Sequence, residues 1–128
     1  MPPTTVLVVS SHDAFRTELC RILGRAGFLS IPARGELDVF WLTDENAGQL
    51  LIAELPGTED DSYHLGILLQ RLRGRMPVIL TSSLSRSHCI GRRMLDRRSP
   101  FLHQPFPPGE CTRIVRRVLR EWRPPLVA

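Results

Sequence analysis

The chain contains no lysine: all 17 of its basic residues are arginine, set against 13 carboxylates for a formal net charge of +4. No position can therefore supply a lysine ammonium to a site. The three cysteines, Cys20, Cys89 and Cys111, are odd in number, far apart and form no C-x-x-C pair. This excludes both a disulfide framework and a zinc ribbon, and leaves buried or half-buried free thiols as the expectation. No apolar run is long enough to span a bilayer. The first residues, MPPTTVLVV, lack the basic region, long apolar stretch and cleavage site of a secretory signal, so a cytoplasmic location is expected. Internal repeats and low-complexity segments are absent.

What is present reads as one soluble globular domain. A chain of 128 residues, 42% hydrophobic and 23% charged, can bury a core without disulfides or a structural metal. Residues 1–123 are expected to form that domain, and 124–128 a tail or the start of a linker.

Short apolar runs alternate with helical periodicity along the chain. VLVV at 6–9 is a β-branched run that ends in Ser-Ser-His-Asp, as a buried strand running into a loop does. Phe15, Leu19, Ile22, Leu23 and Ala26 recur at helical spacing, and Gly27 supplies a stop. FLSIPA, 28–33, alternates like a strand, and Pro32 places it at a sheet edge. A short helix over 36–42 and a polar loop lead to LLIAE, a third strand. A loop, PGTEDDS, precedes a helix over 63–73, where the acidic run Glu59, Asp60, Asp61 favours the helix start. MPVILTSS is a fourth strand, 87–98 a helix weakened by Gly91, SPFLHQPF a fifth short strand, and 110–122 an amphipathic helix. Five strands alternating with five helices predict an α/β fold with a parallel, doubly wound sheet.

In such a sheet, ligands and reactive groups gather at the carboxyl ends of the strands. Those ends offer Ser10, Ser11 and His12, then Glu54, then Thr81 and Ser82, then Gln104. Glu54 stands out, because an acid closing a buried strand is costly without a partner or a task. A zinc set of His12, Asp13, Glu54 and His103 lacks ligand spacing, and loop or core histidines are the better reading.

Four motifs in order, VLVVSSHDAFR, LLIAELPG, PVILTSS and FLHQPF, resemble the receiver domain of bacterial response regulators over residues 5–122. The resemblance implies a flavodoxin-like five-stranded parallel sheet of order 2-1-3-4-5. It also implies a site at which an Asp accepts a phosphoryl group beside a magnesium ion held by that Asp and an acidic pair, with a Lys and a Thr or Ser on the phosphoryl oxygens. On this chain Ser10 and Ser11 stand at the acidic pair, Glu54 at the phosphoacceptor, Gln104 at the lysine, and only Thr81 keeps the family's residue type.

Those departures imply a degenerate receiver without catalytic residues and with its magnesium site lost, because two hydroxyls carry no charge to draw the ion from water. Losing the metal and the ammonium removes most of the charge neutralisation that phosphoryl transfer needs, and a Glu displaces the carboxylate by about one methylene. Two readings of Glu54 stay open: a built-in phosphorylation mimic, or an acid satisfied by the hydroxyls of Ser10, Ser11 and Thr81 and the amide of Gln104. The single charge of a carboxylate, against nearly two on a phosphoryl group, favours the second.

The same resemblance implies signalling through the fourth helix, fifth strand and fifth helix, with Phe101 reporting on the Thr81 region by packing alone. Arg92, Arg93 and Arg97 on one segment, and Arg113, Arg116, Arg117 and Arg120 on the other, make that face arginine-rich, which suits an acidic protein partner or a second copy. The function expected is a phosphorylation-independent interaction module in signalling or transcription control. A weakly phosphorylatable regulator is the alternative. An arginine-rich nucleic-acid binder is a third reading, disfavoured for this segment by the lack of a helix-turn-helix, zinc finger or aromatic-interleaved RNA motif. The family's cis Lys-Pro bond implies a cis Gln104-Pro105 peptide.

Overall fold

In the computed structural model, residues 3–35, 48–55, 72, 74–91, 95 and 97–124 are described. The helices expected over 36–42 and 63–73 lie outside them, apart from Leu72, as do Arg92 and Arg93. Five strands form one sheet: β1 (Thr5–Val9), β2 (Leu29–Ala33), β3 (Leu50–Glu54), β4 (Val78–Ser82) and β5 (Phe101–His103). The order is β2-β1-β3-β4-β5 and every pairing is parallel. Pro32 therefore sits in an outermost strand, where a missing N–H does no harm.

Three helices are described: α1 (Asp13–Arg25), α2 (Arg86–Gly91) and α3 (Pro108–Glu121). The last two are the fourth and fifth helices expected from the sequence. Alternation along the strands sorts the core into two layers. Val6, Val8, Leu50, Ile52, Ile79 and Leu102 face α1 and α3, meeting Leu19, Leu23, Ile114, Val115 and Val118. On the opposite face Leu7, Val9, Leu51, Ala53 and Leu80 meet Cys89 of α2, with Leu72 and Leu95. The central strands are apolar on both sides because both faces are covered.

Local chemistry fixes where the elements stop. Gly27, at φ +93, follows the α1 cap; its N–H donates to the Gly24 carbonyl and that of Phe28 to Leu23, closing the last turn as a Schellman motif. Just before β3, a Cβ on Gly48 would come within 2.5 Å of the Leu7 side chain, so only glycine lets the chain approach β1 there. α3 begins two residues earlier than its apolar periodicity suggests. Pro108 occupies the first turn, where its absent N–H would have had no helical partner.

Candidate functional site

The chain steps from β1 outward to β2 and then back across to β3, so strand order reverses beside β1. The carboxyl ends of β1, β3, β4 and β5 converge there. Glu54 ends β3 opposite Thr81 of β4, and Thr81 in turn pairs with Leu102 of β5. The Glu54 side chain is only 10% exposed. Ser10 and Thr81 are buried, whereas Gln104 is half-buried.

Both carboxylate oxygens of Glu54 are occupied. The Ser10 hydroxyl donates to Oε1 at 2.8 Å, and Gln104 Nε2 donates to Oε2 at 3.1 Å. The Gln104 amide also reaches the Thr81 hydroxyl at 3.2 Å, and that hydroxyl donates to the Leu102 carbonyl at 2.6 Å. Ser10 Oγ accepts the His12 backbone N–H at 3.0 Å. No buried side-chain N or O among the described residues lacks a partner. The Gln104-Pro105 peptide is cis, as the resemblance implied.

Three features of this cluster differ from the sequence reading, the first being that the Thr81 hydroxyl donates to the Leu102 carbonyl and not to Glu54. Ser11 is exposed and contributes no hydrogen bond to Glu54. The fourth member is instead His12, whose Nδ1 lies 2.5 Å from Glu54 Oε1 although its ring is 71% exposed. Beside a carboxylate, Nδ1 carries the proton and donates. The hydrogen bond His12 donates to Glu54, then the negative charge of Glu54, raises the His12 pKa above its ordinary value, against a smaller lowering by desolvation. No sequence signal marked this contact, because His12 lies in the β1–α1 loop, where apolar periodicity says nothing about side-chain direction.

Arg16 anchors that loop. It is buried, its Nη1 donates to the Ser10 carbonyl at 2.7 Å, and its Nη2 pairs with Asp13. The Arg16 guanidinium, first by hydrogen bonding and then by charge, holds the Asp13 carboxyl below the usual range, with the charge of Arg34 adding to it. Of the four residues of the zinc set, only His12 and Glu54 meet, whereas Asp13 goes to Arg16 and His103 Nε2 to the Ser83 carbonyl at 3.2 Å. Among the described residues no three His, Cys, Asp or Glu side chains could hold a metal. The donor set does not fit a magnesium ion either. Magnesium needs near-octahedral oxygen ligation led by carboxylates. Here one carboxylate is present, with both oxygens already taken, and the Ser10 hydroxyl proton is directed at it.

No family model matches the chain. Among curated proteins it is 27% identical over 122 residues to the DNA-binding transcriptional regulator NtrC of Bradyrhizobium sp. (strain RP501 Parasponia), a match covering 94% of this chain and 25% of that protein. The chain thus spans about a quarter of the length of this relative. Among solved structures, a response regulator receiver protein from Sinorhizobium medicae WSM419 superposes with a TM-score of 0.75 at 16% identity, over 93% of this chain and 96% of that one. A response regulator from Thermotoga maritima gives 0.75 at 18% identity, over 93% and 99% of the two chains. The chain has the fold of these receiver structures. The signal receiver domain of an HD domain-containing protein from Pseudomonas fluorescens Pf-5 agrees, with a TM-score of 0.75 at 18% identity over 92% and 95% of the two chains.

Within this fold, Phe101 is half-buried, stacks on His103 with ring centroids 6.4 Å apart, and packs on the α2-side core. Arg97, Arg113, Arg116, Arg117 and Arg120 are all exposed. The four on α3 lie on the side away from its buried residues Cys111, Ile114, Val115 and Val118, with Arg116 at the edge nearest α1. Thr112, Arg116 and Leu119 follow one helical stripe, which Arg116 turns toward α1 by reaching the Ala26 carbonyl at 3.5 Å. Arg113, Arg117 and Arg120 lie on the other flank and back of α3. Cys89 and Cys111 are buried and Cys20 half-buried, all as free thiols, and burial pushes the Cys111 thiol up to about 11. No described helix is long and apolar enough to cross a membrane.

Proposed function

We propose that this receiver works in signal transduction as a protein-interaction module that needs neither phosphorylation nor magnesium. The observation that carries the reading is the hydrogen-bond shell of Glu54: Ser10, His12 and Gln104 engage both carboxylate oxygens at the place where a phosphoacceptor would be open to a donor and a metal. Phosphoryl transfer relies on positioned cations to neutralise the equatorial oxygens. Among the described residues the basic group bound to this carboxylate is the His12 imidazole, and no lysine exists in the chain to take that role. Glu54 then serves to hold β1, β3 and β5 together at their carboxyl ends rather than to react.

The outlet of such a module is its surface. Phe101 and the exposed Arg97, Arg113, Arg117 and Arg120 form a cationic face over α2, β5 and α3, suited to an acidic protein partner or a second copy of the chain. The test is an amide NMR spectrum in millimolar magnesium, with and without beryllofluoride as a phosphoryl analogue. The expected result is no displacement of the Glu54, Thr81 and Gln104 signals. Saturable shifts at those residues would overturn the reading in favour of a weakly phosphorylatable regulator.

A further inference from the structure

α1 and α3 lie side by side over the sheet, and between them open two adjoining cavities that share Glu18, Ile22 and Pro108. Neither contains Glu54. The first, about 380 Å³, is flanked by Arg21 and Arg25 of α1 and by Arg116 and Thr112 of α3. Glu18 is the only carboxylate on its wall, and Arg21 occupies it through an i,i+3 ion pair. Arg25 has no carboxylate partner among the described residues, and the contact of Arg116 is the 3.5 Å reach to the Ala26 carbonyl. Two guanidiniums on opposite helices thus line one concavity whose single carboxylate is engaged by Arg21. An anion entering it would be attracted by both. A pair of planar forks is also the arrangement that best matches phosphate oxygens.

The second cavity, about 420 Å³, continues the groove along α1 with different chemistry. Phe15 and Phe106 line it in an edge-to-face pair at 6.2 Å, together with Leu19 and Pro105, and its far end is Gln104. Each half falls within the size of small-molecule sites rather than of a protein interface. One half is cationic and the adjoining half is apolar and aromatic. We propose that this groove binds a nucleotide, its phosphates between Arg25 and Arg116 and its base against Phe15 and Phe106. Gln104, at the base end, donates to Glu54, so an occupied groove touches the same hydrogen-bond shell that closes the carboxylate. The inference rests on the α1–α3 groove alone and is independent of the signalling reading.

The test is isothermal titration of the full chain with ADP, with inorganic pyrophosphate and with a short single-stranded oligonucleotide, without magnesium. ADP is expected to bind more tightly than pyrophosphate, and Arg25→Gln with Arg116→Gln to weaken ADP by about tenfold or more, the loss of charge-assisted hydrogen bonds. Removing two charges outside the groove, by Arg75→Gln with Arg86→Gln, is expected to leave ADP affinity within about twofold, because neither arginine lines either cavity. Absence of saturable ADP binding would overturn the proposal, as would equal affinity for ADP and pyrophosphate or equal weakening by both variant pairs. Tighter, steeply salt-dependent binding of the oligonucleotide would overturn it in favour of nucleic acid.

Discussion

Replacing Glu54 by Gln keeps the size of the side chain and removes its charge, so it probes the shell around it directly. The carboxylate accepts from Ser10 Oγ and His12 Nδ1 on one oxygen and from Gln104 Nε2 on the other. An amide has one acceptor oxygen. If that oxygen takes the Gln104 bond, its NH2 faces Ser10, whose hydroxyl can turn to accept, but His12 loses its partner. In the reverse orientation two NH2 groups meet. At least one charge-assisted bond disappears, worth about 1.5–3 kcal/mol when buried. The exposed His12 contact is worth no more than about 1 kcal/mol. Relief of burying a carboxylate offsets part of the loss, leaving a net destabilisation of about 1–2 kcal/mol. For a domain of this length that lowers Tm by roughly 3–10 °C, read by circular dichroism.

The difference should depend on pH with a definite sign. The folded-state pKa of His12 is raised, so its contribution is complete below the ordinary value of 6.5 and is lost as pH rises through the folded value. The gap between the native chain and Glu54→Gln is therefore larger near pH ~6 than near pH ~9, with the His12→Ala variant losing that pH dependence. A Glu54→Gln chain as stable as the native one, or more stable, at the lower pH would refute the claim that the acid is satisfied where it stands.

Other consequences can be checked separately. Thr81→Val removes the hydroxyl that donates to the Leu102 carbonyl and accepts from Gln104, and should cost about 1–2 kcal/mol in urea denaturation despite unchanged volume. Combining Ser10→Asp, Ser11→Asp, Glu54→Asp and Gln104→Lys restores the family's charges, and a phosphoryl group should then appear by intact mass after acetyl phosphate and magnesium. Iodoacetamide at mildly alkaline pH should label half-buried Cys20 first, with buried Cys89 and Cys111 reacting only on unfolding, since burial holds the Cys111 thiol near 11.

The parts of the molecule governed by periodicity were legible from residues alone. VLVV, LLIAE and PVILTS announce strands buried on two faces, and Pro32 marks the edge, because a packed sheet allows few residue types at those positions. The sorting of Ser10, Glu54, Thr81 and Gln104 to one end followed from parallel topology. Side-chain aim within loops did not follow. His12 rather than Ser11 meets Glu54 because Arg16, holding the Ser10 carbonyl and Asp13, sets the course of the β1–α1 loop. The arginines of α3 were equally opaque as a group. Periodicity separates the buried side of α3 from its basic side, but which arginine sits at the edge beside α1 shows only in the fold, where Arg116 reaches the Ala26 carbonyl.

The most direct measurement of the central claim is the intact mass of the native chain after incubation with acetyl phosphate and magnesium, run beside the four-substitution chain as a positive control. The account predicts an unchanged native mass while the restored chain gains one phosphoryl group. A stable gain of one phosphoryl group on the native chain, mapped to Glu54, would contradict it.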